Sequence, residues 1–416
     1  MAWTAATLGE ICDQVGGIIQ TGPFGSQLHQ SDYSNDGIPV VMPKDIIEGR
    51  IVTDGIARVT SEHVERLSRH KLKPGDIIYG RRGDIGRQAL IRHRQAGWLC
   101  GTGCLRLNLG DSIIDPIYLH YYLREPDVIE WITNQAIGAT LPNLNTSILR
   151  SVPIRFPQLP TQRKIAAILS AYDDLIENNL RRIKILEEMA QNLYREWFVK
   201  FRFPGHEKIK LVDSPLGKIP EGWEVCPLSQ ACHLIMGQSP KSEFYNEMGN
   251  GLPFHQGVSN FGERFPTDTV YCTVENRIGE SGDVLFSVRA PVGRINIANG
   301  RIVIGRGLSA IRHKKGYQWF LFHFLKETFN KEDLMGGGTI FKAVTKNDMQ
   351  GIKFLSPSEQ IIKLFEKFVV PMELQIENLT RKNTTLRRTR DLLLPKLISG
   401  EVDVSELDIT IPEEAA

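Results

Sequence analysis

The residues best suited to chemistry in this chain are arginines gathered at two places. Arg81, Arg82, Arg87, Arg92 and Arg94 cluster around one predicted turn, and Arg289, Arg294, Arg301 and Arg306 fall at corresponding places about two hundred residues later, joined by Arg312, His313, Lys314 and Lys315. A guanidinium offers a planar fork of donors that clamps a phosphate or reads a guanine edge, so basic turns carried on a rigid sheet suit duplex binding. A solvated basic face is the plain alternative for any single residue. Recurrence in both halves favours recognition.

Other chemistry finds little support. No Gly-rich loop ends in Gly-Lys-Ser/Thr, and Gly336-Gly-Gly338 and Gly305-Arg-Gly307 do not make a dinucleotide fingerprint, so they read as backbone bends. No His-Glu-x-x-His, Gly-x-Ser-x-Gly or Asn/Asp-Pro-Pro-Tyr/Phe box occurs, and Asp127 and Glu130 lack the lysine that a metal-dependent nuclease pair needs. Cys100, Cys104 and His93 could be imagined around zinc, but no second ligand pair follows at usable spacing. The ten histidines are scattered without ligand spacing. Catalytic residues and a metal or cofactor site of the chain's own are therefore not indicated by its motifs.

The elements that must carry the arginines come in a repeated order. With 416 residues, 41% hydrophobic and 24% charged, the chain has room for two to three domains, and its net charge of +2 means that any nucleic-acid surface is local. Six cysteines without paired spacing, no signal peptide and no apolar run long enough for a bilayer point to reduced thiols in a cytoplasm, with no membrane. From Trp3 to Pro157 short apolar runs between Gly, Pro, Asn and Asp predict strands and turns, followed by a helix over Pro116–Gln135. From Trp223 the texture returns: Gly75-Asp-Ile-Ile-Tyr-Gly-Arg-Arg-Gly-Asp-Ile-Gly-Arg87 is answered by Gly282-Asp-Val-Leu-Phe-Ser-Val-Arg-Ala-Pro-Val-Gly-Arg294, and a helix follows over Trp319–Leu334. A period this long fits a duplicated domain, not a solenoid.

Each copy leads into a long heptad seam. Ile165, Leu169, Tyr172, Ile176, Asn179, Ile183, Leu186, Ala190, Leu193 and Trp197 alternate spacings of four and three. Adding two hundred gives Phe365, Val369, Met372, Ile376, Leu379, Asn383, Leu386, Arg390, Leu393 and Leu397, again with one asparagine. In an antiparallel pair facing numbers sum to a constant, and 562 places Ile165 opposite Leu397, Ile176 opposite Leu386 and Asn179 opposite Asn383. A buried asparagine pair fixes register at some cost in stability. Two amphipathic helices each packed on its own domain is the alternative. Thr161 after Pro160 is the expected cap of the first helix, Phe203-Pro-Gly205 its stop, and Pro371 should kink the second or delay its start.

These strings in this order resemble the specificity subunit of type I restriction–modification systems. The resemblance rests on Thr21-Gly-Pro-Phe-Gly-Ser26, Gly37-Ile-Pro-Val, Gly75-Asp-Ile, Gly86-Arg87, Pro142-Asn-Leu-Asn145, Pro160-Thr-Gln-Arg-Lys-Ile165 and Gly217-Lys-Ile-Pro-Glu-Gly-Trp223. It implies an α+β chain: two duplicated α/β target-recognition domains separated by two long helices that form an antiparallel coiled coil, pseudo-two-fold symmetric, with the domains at opposite ends facing the same way. The expected bounds are 1–158 and 204–356 for the domains, 159–203 for the first spacer helix and 357–416 for the second helix with its tail. It further implies double-stranded DNA read as a bipartite target. Two modification (methyltransferase) subunits that bind S-adenosylmethionine and methylate adenine N6, and ATP- and Mg2+-dependent restriction subunits, are the implied partners. The residues expected to touch phosphates and base edges are Gln27, Lys44, Arg81, Arg82, Arg87, Arg92, Lys241, Arg289, Arg294, Arg306 and Lys342. Helix charges Arg181, Arg182, Glu187, Glu188, Arg381, Arg387 and Arg388 could face the partners or merely water. The rivals are a self-sufficient DNA methyltransferase or nuclease, which would turn over alone, and a coiled-coil scaffold for peptides or glycans, whose binding would ignore salt.

Overall fold

The structure is a computed structural model that describes residues 3–83, 85–136, 143–329 and 344–411. Lys342, Gly336-Gly-Gly338 and Pro142 lie outside the described residues. The chain divides into two compact units, residues 1–177 with 384–416, and residues 178–383. No helix among the described residues is long and apolar enough to cross a membrane.

In the first unit β1 (Ile18–Thr21), β6 (Cys104–Asn108), β3 (Ile77–Gly80) and β4 (Gln88–Leu90) make an antiparallel sheet in that order, and β2 (Ile38–Val41) pairs in parallel with β5 (Leu99–Cys100) in a second sheet. In the second unit β7 (Cys232–Met236), β12 (Leu308–His313), β9 (Val284–Ser287) and β10 (Ile295–Ile297) repeat the first order, and β8 (Leu252–His255) pairs in parallel with β11 (Ile302–Ile304). The repeat read in the sequence is thus one topology built twice. Thr21-Gly22 owes its glycine to the backbone: a Cβ on Gly22 would sit 2.2 Å from the Gly101 carbonyl oxygen, and one on Gly237 2.1 Å from that of Gly305. No side chain fits where the two chain segments pass this closely.

The helix predicted over Pro116–Gln135 is two helices, α1 (Pro116–Tyr122) and α2 (Pro126–Gln135). Pro126 cannot continue a helix, and Glu125 caps the new one through Asp127 N at 3.2 Å. The long helix α3 runs Leu159–Tyr194, so Pro160 lies in its first turn, where a missing N–H costs nothing, and Thr161 is not its cap. Its α geometry ends earlier than the expected stop at Phe203-Pro-Gly205, passing into a wider π turn over Arg195–Val199. The second unit's domain helix α4 spans Gln318–Phe329, and the last helix α5 runs Glu359–Ser399 without a break at Pro371. Pro371 is exposed while Val369, Glu373 and Ile376 beside it are buried, so packing holds the helix through the proline.

All ten seam positions of each long helix are buried or half-buried. Within the first unit Ile165, Leu169, Leu394 and Leu397 share one core with Tyr118, Leu119 and Ile154 of the domain. Within the second, Ala190, Tyr194, Trp197, Phe365 and Val369 join Phe320, Phe354 and Trp223. Asn179 Nδ2 donates to Asn383 Oδ1 at 2.8 Å, and Asn383 Nδ2 finds no partner among the described residues. Leucine at both positions is therefore expected to raise stability by about 1–3 kcal/mol in urea unfolding, whereas Asn179→Leu alone should lower it by a similar amount, because it strands the buried Asn383 amide.

Candidate nucleic-acid interface

Each predicted basic turn stands on a buried aspartate. Gly75 and Gly282, both at φ 84°, turn the chain so that Asp76 accepts from Lys73 N at 2.7 Å and Asp283 from Glu280 N at 2.8 Å. Asp76 ion-pairs with Arg106 on β6 at 2.6 Å, and Asp283 with Arg312 on β12 at the same distance. The Gly-Asp motif is thus a sheet anchor, and Arg312 is committed to it. The pairing also holds the strands that lead into the turns.

The turns themselves superpose by hydrogen bonding. Gly80 N donates to Arg87 O and Ser287 N to Arg294 O, both at 2.9 Å; Arg81 N donates to Gly103 O and Val288 N to Gly307 O. Arg81 therefore corresponds to Val288, Arg82 to Arg289, and Arg87 to Arg294. Leu144 N and Val344 N close each turn on Arg81 O and Val288 O, and Asn145 and Thr345 then cap short helices. Arg81 is half-buried and its Nε donates to Leu144 O at 3.1 Å, so it ties the turn together. Arg82, Arg289 and Arg294 are exposed and make no ion pair with another described residue; Arg87 is exposed as well.

The remaining candidates scatter. Lys44 and Arg306 are exposed, and Arg306 N donates to Ser239 Oγ at 3.2 Å. Lys241 is exposed 3.7 Å from Glu243, and Gln27 Oε1 accepts from Phe24 N at 3.1 Å, an internal bond of its loop. Arg92 pairs with Asp174 of α3 at 2.5 Å, Arg94 with Glu177 of the same helix, and Arg301 with Glu275 at 2.9 Å. These cations are engaged inside their own units.

Sequence reading missed the groups that fasten each domain to its long helices. In the first unit Asp173 of α3 accepts from Tyr121 Oη at 2.7 Å and Arg124 Nη1 at 3.2 Å, and pairs with Arg390 of α5. Burial works against its charge, but the Arg124 and Arg390 guanidiniums hold the carboxyl below the usual range. In the second unit Glu373 of α5, wholly buried, pairs with Arg264 and lies 2.8 Å from His323 Nε2 of α4. Arg264 packs 4.5 Å over the Phe322 ring and is also 3.5 Å from Glu187 of α3; burial brings its pKa down to about 10. The heptad count does not reveal these carboxylates because they flank the seam and their partners lie far away in the sequence.

Cys100 and Cys104 lie in an apolar cluster with Val41, Ile78 and Ile91, and burial pushes the Cys100 thiol up to about 12. Among the described residues no three His, Cys, Asp or Glu side chains gather as metal ligands.

Comparison with known proteins places this geometry. The model of the family described as type I restriction modification DNA specificity domain matches residues 2–188 and 220–386, one match per repeat. Two proteins of Methanocaldococcus jannaschii are similar across the chain: one whose name is that of the MjaX type I restriction enzyme specificity subunit, 31% identical over 88% of each chain, and the type I restriction enzyme MjaIX specificity subunit, 26% identical over 90% of this chain and 89% of its own. The crystal structure of a type I restriction-modification system S subunit from M. genitalium shares the fold, with TM-score 0.59 and 18% identity over 95% of this chain and 96% of that one. The chain belongs to the family of type I restriction modification DNA specificity domains.

Proposed function

We propose that this chain is the DNA-reading subunit of a type I restriction–modification complex, with the chemistry supplied by its partners. Residues 1–158 and 204–356 are the two target-recognition domains, each reading one half of a bipartite site, and residues 159–203 and 357–416 carry the helices that space them. The observation that carries the reading is the exposed arginine pair, Arg82 with Arg87 and Arg289 with Arg294, set at the same backbone positions of two sheets with one topology. Two forks carried on one turn can clamp phosphates and reach guanine O6 and N7.

The helices act as an antiparallel coiled coil with approximate two-fold symmetry, as the Asn179–Asn383 bond and the buried seams support. At 1.5 Å per residue the seam from Ile165 to Trp197 is about 50 Å long, more than the ~34 Å of one duplex turn. Two weak half-site contacts joined by such a spacer bind together with high effective concentration. The assembly comprises two modification subunits, which bind S-adenosylmethionine and methylate adenine N6, and restriction subunits that use ATP and Mg2+. The adenine must leave the stack in a partner's pocket.

Alanine at Arg82, Arg289, Arg294 and Arg306 tests the reading. Measured on the assembled modification complex with a specific duplex, the quadruple variant should lose binding and shift the slope of log K against log salt by up to about 3–4, roughly 0.9 per lost phosphate contact. Unchanged affinity and slope would remove these turns from the DNA interface.

A further inference from the structure

The carboxylates that fasten the domains to the helices are themselves duplicated. Asp173 of α3 and Glu373 of α5 stand at corresponding seam-flanking positions, each one residue past an equivalent seam residue, Tyr172 and Met372. On the domain side Tyr121-Tyr122-Leu123-Arg124 corresponds to His323-Phe324-Leu325-Lys326. Tyr121 Oη and His323 Nε2 reach the carboxylates at 2.7 and 2.8 Å, so a polar ring atom from the domain meets a carboxylate from the helix in both units. A cation completes each site: Arg124 at 3.2 Å with Arg390 in the first unit, Arg264 in the second. Neutral spectators do not explain this repetition, since the chemical identities differ while the geometry persists.

We infer that Asp173 and Glu373 are positioning residues that fix where each domain sits along its helices, and thereby the one gap length that the protein accepts between its half-sites. This rests on the proposed reading of a bipartite DNA target. The apolar packing of domain on helix, Tyr118 and Leu119 against Ile165 and Leu169 or Phe320 against Phe365, is non-directional. Ridges of side chains recur along a helix, so a slide by one turn, about 5.4 Å, can bury similar area. A carboxylate held in this way tolerates no such slide: Asp173 takes its donors from Tyr121 of α1, from Arg124 just after it and from Arg390 of α5, and displacement leaves the charge without partners. That slide exceeds the ~3.4 Å rise of a base pair, so its suppression matters for reading a fixed gap. Fixing register is the best-attested use of buried polar and ionic groups, and it is the use assigned here.

The experiment is N6-methyladenine mapping in cells making the full chain with its modification subunits, comparing the wild type with Asp173→Asn, Glu373→Gln and the double variant. These changes keep shape and remove charge. Methylation at sites with both half-sequences intact but a gap one base pair longer or shorter should rise about tenfold relative to the correct gap. That rise corresponds to 1.4 kcal/mol of lost discrimination. Tyr121→Phe, which deletes one hydroxyl, should relax the gap in the same direction and serves if the charge variants do not accumulate. Strict gap selection in variants that still methylate the normal site would overturn the inference. So would a uniform loss at all sites without gain at off-length gaps, which marks a merely structural role. If the wild type itself shows no bipartite pattern, it is the DNA reading that fails, and not the positioning.

Discussion

Asp76→Ala is expected to destabilise the first unit by about 3–5 kcal/mol, the cost of leaving a buried charge without its partner. The Arg106 side chain is 4% exposed and the Asp76 side chain fully buried, so the orphaned guanidinium cannot reach water. Asp76 also holds Lys73 N and Asn108 Nδ2, the latter at 2.6 Å, and these bonds go with it. Asp283→Ala provides an internal comparison in the same fold. Its partner Arg312 is 41% exposed, so the freed cation can solvate and the expected loss is about 1–3 kcal/mol. Hydrogen exchange of the amides in β3 and β6 against those in β9 and β12 reports the two units separately. Equal losses would show that exposure of the partner arginine does not set the cost, and a loss below about 1 kcal/mol at Asp76 would show that this anchor carries little of the sheet's stability.

The second large effect concerns the gap. Removing residues 180–186 together with 376–382 takes one heptad from each long helix and, in the proposed coiled coil, keeps every other pair whose numbers sum to 562, Asn179 with Asn383 included. The spacer should shorten by about 10 Å, roughly three base pairs at ~3.4 Å each. The recognised gap should shorten accordingly while both half-site sequences stay the same. An unchanged gap would mean that the helices do not set it.

What the sequence revealed depended on periodicity and local chemistry. The seam was legible because a 3.5-residue repeat survives in a list of letters, and the Asn179–Asn383 contact followed from arithmetic on it. The repeated Gly-Asp turn was legible as a motif, but not as an anchor, because Arg106 and Arg312 lie about 30 residues from their aspartates. Arg92 and Arg94 read as free cations for the same reason: Asp174 and Glu177 are about 80 residues away. An arginine looks alike in a sequence whether it meets a phosphate or a carboxylate of its own chain. Asp173 and Glu373 were invisible because a polar residue beside a seam normally faces water. Pro371 misled through a rule about isolated helices, which packing at Val369, Glu373 and Ile376 overrides.

On the proposed reading, one chain carries two separable DNA-reading heads. Its most direct test is N6-methyladenine mapping for the full chain with its partner subunits, comparing the wild type with Arg289→Ala/Arg294→Ala. The expected result is a two-part motif with one fixed gap for the wild type, and for the variant a relaxed requirement in one half only, the other half being read as before. A motif that is undivided, or two halves that relax together, would contradict it.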